Sequence, residues 1–154
     1  MVFDRNIRGL QVTLRIDGYK APAGHDYGDV WCDCGYSFRF GDAVNYQNEH
    51  DELFMPEEVD ALAGVLTDLL DGKITRPREV PMTEPDFVFM LYPAKDLRSD
   101  PKYIYVAPGH ELQDIRVEWR IFFWDGGLTD NFLTITLLRE DIAALRDFLS
   151  SCRG

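Results

Sequence analysis

Apolar and polar residues alternate most regularly between Leu112 and Leu138, on either side of the Gly126-Gly127 pair. Successive side chains of a strand point to opposite faces, so this pattern predicts a β-hairpin with its odd-numbered residues in the core. A three-residue loop, Asp125 to Gly127, places apolar residues opposite one another in both arms. The expected pairs are Trp119 with Leu133, Val117 with Ile135, and Ile115 with Leu137, and Ile121 and Phe123 share the apolar face of the first arm.

Other segments show weaker strand patterns. Alternation predicts a strand over Leu10–Ile16, and another over Val30–Phe40 in which Trp31 points away from the core. A short strand is expected at 43–47, and Tyr103–Val106 is predicted as a further strand. Phe87–Tyr92 is apolar on both faces, which is typical of a central strand. The apolar face predicted for the second strand comprises Val30, Cys32, Cys34, Tyr36, Phe38 and Phe40.

Two segments have helical spacing instead. Pro56 can open a helix because a first turn does not need its missing N–H, and Gly72 can end it, which predicts a helix over 56–71. A second helix is predicted over 139–152, with one apolar stripe facing the core. The stripe consists of Ile142, Leu145, Phe148, Leu149 and Cys152. The chain is therefore expected to form a single α+β domain over 1–154, mainly an antiparallel sheet of about five to seven strands with two helices.

Composition fits this expectation. With 154 residues, 45% of them hydrophobic and 13% aromatic, the chain can bury a core and is too apolar for intrinsic disorder. No apolar run approaches the ~18–20 residues of a membrane span, and the first residues do not resemble a secretory signal, so a cytoplasmic location is expected. The three cysteines, Cys32, Cys34 and Cys152, do not form the even framework of a small secreted domain. Reduced thiols are the expected state.

The net charge of −11 is concentrated in one segment. Residues 21–72 contain twelve Asp or Glu and a single basic residue, Arg39. Phosphate binding needs Lys and Arg, so no nucleic-acid partner is expected, and no membrane partner either. A basic protein partner would be attracted, although a purely solubilising surface has the same composition.

Candidate chemistry is sparse. Cys32 and Cys34 share one face of a predicted strand and lack zinc-knuckle spacing, which favours buried core thiols over a metal or redox site. A metal-dependent hydrolase using His25, Asp26 and Asp29 is the enzymatic alternative, with Asp33, His50 or His110 as further ligands. The sequence contains no nucleophile elbow, phosphate-binding loop or HExxH helix. A non-catalytic protein without a cofactor is therefore expected.

Several stretches together resemble the WapI-type immunity proteins, small cytoplasmic antidotes that protect bacteria from polymorphic toxins. The resemblance is carried by Asp-Gly-Tyr at 17–19, the Asp-rich approach to Trp31, the helix from Glu57 to Gly72 and TEPDFVFML at 83–91. DIRVEWRI at 114–121 and TITLLREDIAALRDFL at 134–149 complete it. Leu138 departs from the pattern, because a capping Ser is expected there. The resemblance implies an antiparallel sheet with two helices, and a function in binding and neutralising a toxin protein.

Combined with the charge, the resemblance predicts a partner-binding surface in the acidic segment. The candidate interface comprises Asp26, Asp29, Trp31, Asp42, Glu49, Asp51 and Glu52. A nuclease would be a suitable partner, because it must be basic where it grips phosphate. A structural or interaction domain of another kind remains the alternative.

Overall fold

The computed structural model describes residues 1–18, 31–50 and 52–153. It confirms the predicted α+β class: two helices accompany strands that pair only in the antiparallel sense. The described residues form ten strands in three sheets, more than the sequence predicted. None of the helices in this part of the chain is long and apolar enough to cross a membrane.

The first sheet is a meander of four strands in chain order: β1 (Val2–Ile7), β2 (Leu10–Asp17), β3 (Asp33–Phe40) and β4 (Val44–His50). The predictions for β2 and for the short strand at 43–47 are confirmed, and β4 is longer than expected. Strand β1 was not predicted, because Arg5 interrupts its apolar face between Phe3 and Ile7. The Arg5 Nε donates to Asp141 Oδ1 at 2.8 Å, a partner 136 residues away that no local pattern reveals.

Strand β3 begins at Asp33, three residues later than predicted. Its even-numbered face is buried as expected at Cys34, Tyr36 and Phe38. Phe40 is the exception, with 47% of its surface exposed, because β3 ends there and the chain turns into β4. The alternation therefore identified the buried face correctly but not where the core ends.

The second sheet has the order β10-β9-β6-β5. Its strands are β5 (Arg78–Pro81), β6 (Phe87–Tyr92), β9 (Arg116–Trp124) and β10 (Leu128–Leu137). Strand β6 lies between two neighbours, which confirms the central strand predicted over Phe87–Tyr92. Strand β5 was not predicted, because it lies in a proline-rich stretch of the sequence. At the edge of the sheet β5 needs only one hydrogen-bonded neighbour, so it tolerates Pro81.

The hairpin of β9 and β10 has the predicted three-residue loop, since Leu128 lies opposite Trp124. The predicted pairs farther along are wrong: Ile135 lies opposite Trp119, and Leu137 opposite Val117. The register shifts between Leu128 and Phe132. There the Thr129 hydroxyl donates to the carbonyl of Phe123 at 2.7 Å and accepts from the N–H of Asn131. A shift of two positions preserves parity, so the buried face is still the predicted one.

A third, small sheet pairs β7 (Lys95–Asp96) with β8 (Leu112–Gln113), and a 3₁₀ turn over Leu97–Ser99 follows β7. We call residues 95–113 the finger, because their paired ends enclose a long excursion of the chain. The strand predicted over Tyr103–Val106 lies in this excursion and does not form in the described structure. That prediction was wrong, since strand propensity alone does not supply a neighbouring strand.

Both predicted helices are confirmed, as α1 (Pro56–Leu70) and α2 (Arg139–Ser151). Helix α1 starts at Pro56, and the N–H of Gly72 donates to the carbonyl of Leu69 just beyond its end, where Gly72 has a φ of +74°. The predicted stripe of α2 is buried along its full length. The helices pack against each other, and α2 also contacts β1, β9 and β10.

The core lies between the inner faces of the two large sheets. Trp119 is fully buried there, with its ring centroid 5.8 Å from that of Phe38 in the first sheet. The rings of Phe87 and Phe89 lie 5.0 and 5.4 Å from it in its own sheet. One contiguous cluster of buried side chains joins both sheets and both helices.

Candidate functional site

The outer face of the first sheet carries a cluster of carboxylates around Arg15. The guanidinium of Arg15 lies 2.7 Å from Asp17, 3.2 Å from Asp33 and 2.6 Å from Glu49. These residues come from three adjacent strands, because the register places Arg15 opposite Gly35, and Gly35 opposite Glu49. We call Arg15, Asp17, Asp33 and Glu49 the acidic cluster.

Gly35 makes this arrangement possible. A Cβ atom built at Gly35 would overlap the carboxylate of Glu49, which lies across the strand toward Arg15. Strand interiors usually disfavour glycine, and a close approach of another group is one of the reasons for it. The lack of a side chain at Gly35 thus leaves room for the Glu49 carboxylate to reach Arg15.

Hydrogen bonds within the acidic cluster favour the charged forms of Arg15 and Asp17. Hydrogen bonds to Asp33, then to Asp17 and Glu49, raise the pKa of Arg15 further above its ordinary value. The ammonium of Met1, 2.5 Å from Asp17, lowers the pKa of that carboxyl, and Arg15 lowers it further. Among the described residues, the three carboxylates are matched by two cationic groups, Arg15 and the ammonium of Met1. These described groups together carry a net negative charge.

The predicted interface residues that the structure describes do not all lie together on one part of the surface. Glu49 belongs to the acidic cluster, Glu52 is exposed two residues beyond β4, and Trp31 is half-buried just before β3. Asp42 is exposed in the turn between β3 and β4, at the opposite end of β4 from Glu49. At ~3.3 Å per residue, Val44 and Glu49 are already roughly 17 Å apart. Asp26, Asp29 and Asp51 lie outside the described residues.

Sequence reasoning missed Arg15 and Asp17 as parts of this surface, and it considered Asp33 only as a metal ligand. The alternation did place Arg15 on the polar face of the strand predicted over Leu10–Ile16, whereas Asp17 lay just beyond the predicted end. What was missing was the register, which sets Asp17 opposite Asp33. Cross-strand neighbours cannot be identified until the register between strands is known.

The metal-site alternative gains little from the described residues. His25, Asp26 and Asp29 lie outside them, as does the side chain of His50, and Asp33 is paired with Arg15. His110 is exposed in the finger. Within the ranges that the structure describes, no group of three or more His, Cys, Asp or Glu residues could hold a metal ion.

The cysteines are free thiols in the core, as the sequence predicted. Burial raises the pKa of Cys32 to about 11, and it also raises the pKa values of Cys34 and Cys152. A thiol reacts as the thiolate, so protonated and inaccessible sulfurs are poor nucleophiles and poor metal ligands. Packing in the core accounts for the presence of all three cysteines.

A buried carboxylate joins the two large sheets at another point. Asp86 is fully buried just before β6, and its Oδ1 accepts from the Tyr36 hydroxyl at 3.1 Å and from the Trp124 Nε1 at 2.6 Å. Asn48 donates to the same Tyr36 hydroxyl at 3.1 Å, and burial raises the pKa of Tyr36. Tyr36 and Asn48 belong to the first sheet, and Trp124 to the second. This network fixes one sheet relative to the other.

A groove of about 550 Å³ lies beside the start of α2 and carries equal numbers of positive and negative side chains. Arg5 is paired with Asp141, and Arg139 with Asp114 at 2.6 Å. Arg8 lies 3.6 Å from Asp141 as well. The positive and negative side chains that line the groove therefore balance, so the groove does not favour an ionic ligand. The groove lining comprises Arg5, Asn6, Ile7, Arg8, Asp114, Ile115, Leu138, Arg139, Glu140 and Asp141.

The finger exposes an apolar surface. Ile104 is fully exposed, Tyr105 and Leu112 are about three-quarters exposed at 76% and 75%, and Tyr103 is 47% exposed. Single exposed apolar side chains are common on protein surfaces, whereas here three consecutive residues, Tyr103 to Tyr105, are exposed.

Comparison with models of known protein families and with curated proteins finds no significant match to this chain. The described surface carries charged groups and exposed apolar groups.

Proposed function

We propose that this chain is a non-catalytic immunity-type protein that acts in the bacterial cytoplasm by binding and neutralising a basic toxin domain. The observation that carries the proposal is the acidic cluster, in which three carboxylates from adjacent strands share Arg15 on an open sheet face. The resemblance of the sequence to immunity proteins supports the same function.

The physical basis of the proposal is charge complementarity. A toxin that acts on nucleic acid has to be basic where it binds phosphate, and an acidic antidote can occupy that surface. Complementary charges raise association rates by orders of magnitude at low salt. A fast association suits an antidote, which has to capture the toxin before it acts.

The rigid sheet also favours this function. The carboxylates of the acidic cluster come from strands rather than from a flexible tail, and Arg15 holds them together at 2.6 to 3.2 Å. A surface that is ordered before binding avoids part of the entropic cost of forming the complex. Predicted interface residues outside the described ranges, Asp26, Asp29 and Asp51, are included in the proposed surface.

The test is co-expression in bacteria with the C-terminal module of a large secreted protein encoded beside the gene for this chain. The expected result is restored growth, together with a stable complex of the purified proteins. The control is an unrelated protein of similar size and net charge, which should neither restore growth nor form a complex. If the chain gives neither rescue nor binding, the proposal is wrong.

A further inference from the structure

The outer side of the second sheet carries apolar side chains on both of its central strands. Along β6, and along β9 from Arg116 to Phe122, buried residues alternate with partly exposed ones, which therefore point outward. On β10 the register places Phe132 beside Phe122, with ring centroids 5.1 Å apart, and Phe132 is 47% exposed. We call the following residues the outer patch: Val88, Met90, Tyr92, Arg116, Glu118, Arg120, Phe122 and Phe132.

The central strands of the first sheet differ in this respect. The residues of β2 and β3 that point outward are polar, charged or glycine, as is usual for a sheet with one side in water. They are Gln11, Thr13, Arg15, Asp17, Asp33, Gly35, Ser37 and Arg39. The contrast between the two sheets distinguishes the outer patch as the candidate contact surface.

The three charged side chains of the outer patch make no ion pair with any described residue. The guanidinium carbon of Arg116 lies 4.0 Å from the ring centroid of Tyr92, and that of Arg120 lies 5.4 Å from the ring centroid of Phe132. Glu118, between the two arginines on β9, accepts from the Tyr92 hydroxyl at 3.3 Å. A guanidinium stacked on a ring keeps N–H groups at its edge that can bind a carboxylate.

This arrangement of charges is self-complementary. When two outer patches pack across a two-fold axis, the same residues lie on both sides of the interface. Glu118 of one copy can then face an arginine of the other, while the apolar side chains of both copies are covered. Aromatic residues, Met and Arg are also the residues enriched at protein interfaces. A second copy of this chain therefore fits the outer patch in both charge and polarity.

The area of this side of the sheet is of the size that a dimer needs. Four strands spaced ~4.8 Å apart make it about 19 Å wide, and the 9 residues of β9 make it about 30 Å long. Its flat area is on the order of 500 Å², and projecting side chains raise the accessible area toward the ~800 Å² that each partner of a stable interface buries.

We propose that two copies of this chain form a symmetric dimer in which their outer patches pack face to face. The two second sheets then lie against each other as the layers of a β-sandwich do. This inference goes beyond the proposed function and does not rest on it, because dimerisation is a property of the chain alone.

The acidic cluster does not oppose this dimer, because it lies on the outer side of the first sheet. Packed sheets are ~10 Å apart, so three spacings separate the acidic clusters of the two copies by about 30 Å. This distance is several times the screening length of ~8 Å at ~0.15 M salt. Each acidic cluster also stays accessible on the outside of the dimer.

The first test measures the mass of the chain in solution by sedimentation velocity, from about 1 to about 100 µM, a range that covers interfaces of moderate affinity. The wild type should shift from monomer to dimer as its concentration rises. Phe132→Glu places a charge in the interface and should weaken dimerisation about tenfold or more. Gln47→Glu is the matched control, because it adds the same charge on the outer side of β4, where Gln47 is exposed. It should dimerise as the wild type does.

The second test exchanges charges within the outer patch. Glu118→Arg leaves three arginines in the patch, and Arg116→Glu combined with Arg120→Glu leaves three glutamates. Each protein alone should remain monomeric, because like charges then face one another across the two-fold axis. An equimolar mixture of the two should form a heterodimer. Recovery in the mixture shows that neither variant is misfolded.

Three results would overturn the proposal. A wild type that stays monomeric up to about 100 µM means that a second copy does not cover the outer patch. Equal dimerisation of Phe132→Glu and Gln47→Glu means that the dimer uses another surface. Assemblies that grow beyond the dimer mean that the contact is not two-fold. Each of these results leaves the proposed function standing, because rescue and toxin binding are measured separately.

Discussion

Trp119 is the largest fully buried side chain of this protein, and three aromatic rings contact it from two sheets. Trp119→Ala should lower the free energy of unfolding by about 3–5 kcal/mol, because a large cavity would open where the core cannot collapse. Trp31 is only half-buried, so Trp31→Ala should cost clearly less. Denaturant melts of both variants measure the difference. Equal losses would mean that Trp31 is as important to the core as Trp119.

The indole nitrogen of Trp119 leads to a second prediction about this side chain. It is buried and has no hydrogen-bond partner among the described residues. An unsatisfied buried donor costs about 1–3 kcal/mol, so Trp119→Phe removes an unfavourable group together with favourable packing. Trp119→Phe should therefore destabilise the protein much less than Trp119→Ala does in the same denaturant melts.

Cys32 should make stability depend on alkaline pH. Burial raises its pKa from an ordinary value of 9.0 to about 11, so the folded state holds the thiol proton after the unfolded state has lost it. Its contribution to stability is present below about pH 9 and is lost as the pH rises through 11. Cys32→Ala should show a shallower decline of the unfolding free energy between these values. An identical slope in both proteins would contradict the assignment.

At the scale of the element, helix α2 begins without a good cap. The preceding residue, Leu138, is 49% exposed and has φ −92° and ψ 173°, and its N–H donates to Asp141 Oδ2 at 3.1 Å. It offers no side-chain oxygen to the free N–H groups of the first turn. Leu138→Ser should supply one and raise the free energy of unfolding by about 0.5–1 kcal/mol.

Leu138→Ala is the control for this change, because it removes the same apolar group without adding an oxygen. Urea midpoints of the three proteins distinguish the effects. If the Ser and Ala variants are equally stable, the start of α2 does not need a cap, and the prediction is wrong.

At the scale of the whole molecule, the charge of −11 should control association with a basic partner. Replacing Glu49, Asp51 and Glu52 with their amides should lower the on-rate about tenfold at low salt and flatten its salt dependence. The wild-type on-rate should fall steeply with added salt, because the screening length shortens from ~30 Å at ~0.01 M to ~8 Å at ~0.15 M. Stopped-flow mixing with the toxin module measures the on-rate and its dependence on salt concentration.

The matched control neutralises three exposed carboxylates outside residues 21–72, namely Asp125, Asp130 and Asp147. Because it changes the net charge equally, a general charge effect would slow both triple variants alike. The proposed surface requires a larger loss for Glu49, Asp51 and Glu52. Melting temperatures should stay close to that of the wild type, since exposed charges contribute little to folding.

The sequence by itself determined the features that depend on local periodicity. Period-two alternation identified the buried faces of β2, β3 and β9, and helical spacing with Pro56 and Gly72 bounded α1. These patterns are readable because each residue's orientation follows from its neighbours along the chain. The acidic segment was equally visible, since counting charges requires no coordinates.

Only the tertiary structure decided which residues meet across strands. The bulge between Leu128 and Phe132 shifts the register of the hairpin by two positions. Arg5 donates a hydrogen bond to Asp141, which lies 136 residues away in the sequence. The register that brings the acidic cluster together around Arg15 is likewise a property of the packed chain. So is the lack of a partner strand for Tyr103–Val106 within the described residues. Contacts between distant residues depend on how the whole chain minimises its free energy, and no local pattern encodes them.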